Sequence, residues 1–192
     1  MRSFRKPALL LALVAVVALA LPAVAGASKI ESKPGTLTQV GAKITATSND
    51  AYLTSSLFGN QPCHGGGLSP WTMYETLTKN NGTTFEGSSA AAGTATCQLT
   101  ANGIFPIINP RWENFISSTA GKGTVSMSFE TTVTELTCKW SGTAMPFTYV
   151  LGSSSITFTQ AHLKATPAGC GTASFTGDFE LKTFGTIPVI LN

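Results

Sequence analysis

The chain has 192 residues, of which only 11% are charged and 43% are hydrophobic, and its formal net charge is +3. Arg2, Arg5 and Lys6 account for that excess, so the remaining nine basic residues balance nine acidic ones. No basic run is left over, which excludes the electrostatic footprint of a nucleic-acid-binding protein, and the length suits one domain with a proper core.

The N-terminus has three parts. A basic start leads into an unbroken apolar run over 8–20, then Pro22, then small residues that allow cleavage after Ala25 or Ala27. This is the pattern of a secretory signal peptide over 1–27, and it predicts an extracellular protein, secreted or associated with the cell wall. An uncleaved anchor is the rival, since 8–27 could just span a bilayer. No later apolar stretch is long enough to cross a membrane, so no transmembrane segment is expected after cleavage. No cysteine stands at the cleavage point to carry a lipid.

From there the pattern is short and β-like. Residues 28–35 read as a frayed lead-in. Ala42, Ile44 and Ala46 alternate with Lys43, Thr45 and Thr47, and Asn49-Asp50 turns the chain into 52–58. Residues 71–79 read as a strand, and Asn81-Gly82 supplies a type I′ hairpin turn into 83–86. The small residues 87–93 read as an exposed tip. Ala95, Cys97, Leu99 and Ala101 restore the period of two, and Asn102-Gly103 offers a second hairpin turn.

Residues 106–123 read as an inter-half segment. Pro106 and Pro110 break strands, 112–116 could make one helical turn, and Gly121-Lys122-Gly123 looks flexible. Val125 to Val133 alternate cleanly. The apolar phase then shifts at Leu136, Cys138 and Trp140, which predicts a bulge or break near Thr134. A hairpin joins 147–151 to 156–163, and Ala173, Phe175, Phe179 and Leu181 line a final amphipathic strand. Pro188 marks 187–191 as an edge. Strands at this spacing predict an all-β sandwich or barrel over 28–192.

Two stretches share landmarks. Cys63, Pro70-Trp71-Thr72, Cys97 and Gly103-Ile104-Phe105 recur as Cys138, Pro146-Phe147-Thr148, Cys170 and Gly177-Asp178-Phe179. The order suggests a duplication, with halves at about 36–105 and 124–192. Four cysteines in an exported chain favour two disulfides, and three pairings are possible. The duplication favours Cys63–Cys97 and Cys138–Cys170, each contributing on the order of 3 kcal/mol. With no C-x-x-C and no spaced histidine pair, neither a metal nor a cofactor is expected.

Catalytic apparatus is hard to find. His64 and His162 are the only histidines, and no G-x-S-x-G elbow accompanies them. Glu75 and Glu86 flank one hairpin and could face each other, but solvated edge charge is their plainer role. Gly121-Lys122 imitates the end of a phosphate loop, yet Gly123 stands where Ser or Thr must ligate magnesium. Asn81-Gly82-Thr83 fits a glycosylation acceptor, which the turn already explains. For binding, the candidates are Arg111 and Trp112, a cation and indole favoured at contact surfaces. The alternative places Trp112 and Phe115 as a plug between the halves.

The leader, the spacing of Cys138 and Cys170, and the run Phe175-Thr176-Gly177-Asp178-Phe179-Glu180-Leu181 together give a family resemblance. On those features the chain resembles uncharacterised secreted Thr/Ser/Gly-rich β proteins of Gram-positive actinobacteria. That resemblance implies no activity. The expected function is a non-catalytic binding or structural module whose partner is carbohydrate, protein or an apolar small molecule held inside the barrel. The alternatives are a secreted hydrolase, or an inhibitor of an extracellular enzyme presenting 87–93 or 109–115 as a loop.

Overall fold

The computed structural model describes residues 27–63, 70–98, 104–133, 135–183 and 186–192. The expected signal peptide, all but Ala27, and also His64, the expected turn at Asn102-Gly103 and Thr134 fall outside these residues. The described chain is almost entirely strand. The N-terminal elements are β1 (Ile30–Lys33), β2 (Thr36–Leu37), β3 (Lys43–Ser48), β4 (Ala51–Ser55) and β5 (Gly59–Cys63). Six longer strands follow: β6 (Trp71–Asn80), β7 (Phe85–Gln98), β8 (Ile104–Thr119), β9 (Lys122–Val133), β10 (Leu136–Tyr149) and β11 (Ser155–Thr166). A single 3-10 turn, Ala168–Cys170, leads to β12 (Thr172–Thr183), β13 (Ile187–Pro188) and β14 (Ile190–Leu191).

Eight strands close an antiparallel barrel in the order β3, β6, β7, β8, β9, β10, β11, β12. The choice between sandwich and barrel falls to the barrel because β12 is paired on both sides. One edge meets β11. The other meets β3 through Glu180–Thr183 and β4 through Ala173–Thr176. A closed sheet of eight strands leaves an interior that side chains can fill. Here Trp71, Trp112, Phe158, Phe175 and Phe179 meet across it, with ring centroids 4.9–5.9 Å apart.

Long strands must coil to close so narrow a barrel, and outward bulges supply the bend. Asn109, Asn114, Ala144 and Gln160 all have φ near +50°. The pairing of β8, β10 and β11 slips at these four places. Each adds an extra outward residue, so the buried positions step by three: Ile107 to Pro110, Trp112 to Phe115, Gly142 to Met145 and Phe158 to Ala161.

This spacing corrects several expectations. Residues 112–116 are not a helical turn: a bulged strand places apolar residues three apart just as a helix does. Pro106 and Pro110 do not break β8. Residues 87–93 are not a tip but the middle of β7. The break expected near Thr134 stands, as a reversal of the chain: β9 ends at Val133, β10 begins at Leu136, and the two pair as a hairpin. The Asn81-Gly82 hairpin is not type I′, since only Gly82 has positive φ. The Asn81 side chain instead accepts hydrogen bonds from the Thr83 and Thr84 amides, which makes a four-residue connection. Gly121-Lys122-Gly123 begins with a tight two-residue turn, Gly121 at φ 83°, and continues into β9.

The barrel has two distinct ends. At one, the β4–β5 hairpin and both disulfides, Cys63–Cys97 and Cys138–Cys170, gather the chain. At the other, β14, β1 and β2 form a three-stranded sheet that caps the lumen. Residues 28–35 are therefore no frayed lead-in: Ser28, Ile30 and Glu31 are buried there. The shared landmarks do not fall at equivalent places: Trp71 opens β6 whereas Phe147 lies near the end of β10, Cys97 is in β7 whereas Cys170 is in the 3-10 turn, and Cys63 is on β5 whereas Cys138 is in β10.

Candidate functional site

Among the described residues, the lumen contains one ionisable side chain that nothing neutralises. On β6, Trp71, Met73, Glu75 and Leu77 alternate onto the inner face, so Glu75 is carried into the core with only 1% of its surface exposed. Neither carboxyl oxygen has a hydrogen-bond partner, and the Trp112 indole N–H is equally unpartnered. Oε2 borders Gly87, whose cross-strand partner Phe115 stacks on Trp112. Pairing between β7 and β8 stops at Gly87–Phe115 and resumes at Ala95–Ile107, and Glu113 is exposed on the stretch of β8 that pairs with β9 alone. Desolvation, and then repulsion from Glu113, push the Glu75 carboxyl up to about 9. It is a neutral acid at physiological pH.

The expected binding pair does not form a pair. Successive residues on a strand face opposite ways, so Arg111 is exposed while Trp112 is wholly buried. Trp112 fills the lumen, whereas its alternative reading placed it as a plug between two halves. Arg111 lies instead in an outer groove of about 410 Å³ over β8, β9 and β10, with Asn109, Ser128, Glu130, Lys139 and Thr166. Lys139 and Glu130 are 3.4 Å apart across its floor. Such a groove presents donors and acceptors suited to a polar ligand.

The other candidates scatter. Glu86 does not face Glu75 but sits on the outer surface, 2.8 Å from Lys79. His162, whose parity with Ile156 and Phe158 suggested the same face, is exposed because the bulge at Gln160 reverses the phase. Both stretches offered as inhibitory loops, 87–93 and 109–115, are barrel wall. Among the described residues, no group of three or more His, Cys, Asp or Glu could hold a metal.

A second buried glutamate has the opposite environment. Glu31, in β1, is 2.6 Å from the Lys29 ammonium and accepts hydrogen bonds from the Gly35 amide and from Asn192 Nδ2. Lys29 above all holds its carboxyl below the usual range, with Gly35 and Asn192 adding to the effect. This contact ties the first strand, its turn and the last residue into one clasp across the cap. Nothing in the local sequence announces it, since Asn192 lies 161 positions away.

Fold and site together define a disulfide-bonded, aromatic-filled, eight-stranded antiparallel barrel closed at one end by both termini of the described chain. No family model matches the chain, and no curated protein or solved structure matches it either.

Proposed function

We propose that the chain is an exported, non-catalytic barrel module that works at the cell surface by binding through its outside. The observation that carries this is the filled lumen. Aromatic side chains that touch across the barrel take the space an internal apolar ligand needs, which leaves the polar wall and the two ends as contact faces. Two disulfides suit the oxidising compartment to which the leader points. The Arg111 groove fits a carbohydrate or a polar segment of protein.

One observation favours a hydrolase instead. A raised carboxyl close enough to feel a second carboxylate is how acid–base pairs are tuned. Yet Glu75 faces the lumen and Glu113 the solvent, with the barrel wall between them, so no substrate bond can lie between the two.

The test is a binding screen of the exported, oxidised protein against glycans, proteins and lipid vesicles, with each ligand analysed afterwards. Saturable retention of one class, recovered unaltered, is expected. Cleavage of a ligand that Glu75→Gln abolishes would overturn the proposal in favour of the hydrolase.

A further inference from the structure

The two ends of the barrel differ in charge as well as in construction. Strand direction puts Lys29, Lys33, Lys43, Lys79, Lys122 and Lys182 at or near the capped end, six of the nine cations beyond the leader. Only three carboxylates accompany them. Each is already matched: Glu31 with Lys29 at 2.6 Å, Glu86 with Lys79 at 2.8 Å, and Glu180 with Lys182 at 2.8 Å. Lys33, Lys43 and Lys122 remain as net positive charge facing solvent. The opposite end and the wall hold Asp50, Glu130, Glu135 and Asp178 against Lys139 and Lys164, with Arg111 and Glu113 offsetting each other on β8. With Glu75 protonated, the charges beyond the leader sum to +1 and are polarised along the barrel axis.

Among the described residues, five of the eight exposed large apolar side chains lie at the same end, while Leu57 and Leu136 lie at the other and Tyr74 on the wall. Val150 and Leu151 form the tip of the β10–β11 hairpin, 76% and 56% exposed, where the Gly152 amide bonds to the Leu191 carbonyl of the cap. Across the cap sheet, Leu37 and Val40 line a cavity of about 510 Å³ with Lys43 and Thr183. Ile187 pairs beside Thr183 and is also exposed. Apolar tips ringed by unpaired lysines match a bilayer interface: the tips enter the acyl boundary while the ammonium groups meet phosphate.

We propose that the capped end docks on an anionic membrane surface, with Val150, Leu151, Leu37 and Val40 inserted and Lys33, Lys43 and Lys122 on the headgroups. This rests on the binding reading above and names its partner.

The experiment is vesicle flotation of the exported, oxidised protein. One set of vesicles is phosphatidylcholine alone, and the other is equal parts phosphatidylcholine and phosphatidylglycerol. Binding is expected on the anionic vesicles, at least tenfold weaker on the neutral ones, and reversed by high salt. Val150→Asp with Leu151→Asp should abolish flotation. Lys33→Glu and Lys122→Glu should each weaken it by at least about fivefold. Lys164→Glu, at the far end, should leave it unchanged. Equal binding to both vesicles, or equal loss from near and far variants, would overturn the proposal. Glycan retention without flotation would sink the membrane assignment and leave the binding module standing, whereas ligand turnover would sink the module itself.

Discussion

One end of this barrel is stapled by covalent bonds and the other is clasped by hydrogen bonds. Cys63–Cys97 and Cys138–Cys170 hold the stapled end, and their hold is independent of pH. The clasped end depends on Glu31 being ionised and on two distant parts of the chain meeting. Reductant should therefore loosen one end and acid the other. The difference also separates roles: the stapled end is made rigid, whereas the clasped end carries the exposed apolar tips and the free lysines.

The largest expected effect comes from the staples. Replacing either cysteine pair with alanine should cost about 3 kcal/mol in urea unfolding, with the two pairs roughly additive. A loss well under 1 kcal/mol for either would mean that the barrel, and not the staple, secures that end.

Glu75 should come next, and its sign is unusual for a carboxylate. Below the unfolded value of 4.5 both states are protonated and stability is full. Above it the unfolded chain ionises while the folded one stays neutral up to about 9, so stability falls across that window. The slope is about 1.4 kcal/mol per pH unit, which makes the loss about 3 kcal/mol by pH 7. Glu75→Gln should flatten the profile between these limits in thermal or urea unfolding. A variant as steep as the parent would show that Glu75 does not hold its proton.

Glu31 works in the opposite direction and in a different window. Its carboxyl is lowered, so its contribution is present above the unfolded value and is lost as pH falls through the folded one. Glu31→Gln should raise hydrogen exchange on the order of tenfold at cap amides such as Lys29 and Asn192. Amides in β9 and β10 should keep their protection. A uniform rise through the barrel would deny the cap its independence.

The smallest effect tests the bulges. Ala144 holds φ 49° with no side-chain compensation, so Ala144→Gly should stabilise by roughly 0.5 kcal/mol. Destabilisation there would mean that the outward methyl packs against something.

Glu75 was within reach of the period of two, since it shares parity with Trp71, Met73 and Leu77, and its charge alone argued for the outside. The period predicts which face a residue takes but not whether a polar residue on the inner face has escaped to solvent. Trp112 and His162 were misplaced for a different reason. Each lies close to a bulge, and one extra residue turns a strand's spacing into that of a helix or reverses its faces.

From the sequence came the all-β class and most strand positions, because alternation is a local signal, together with a preference for the observed cysteine pairing among three possible ones. Closure into a barrel, the burial of Glu75 and the clasp at Glu31 were decided only in three dimensions. They depend on β12 meeting β3 and β11 at once, and on residues 31 and 192 coming into contact. No window along the chain records encounters between segments so far apart.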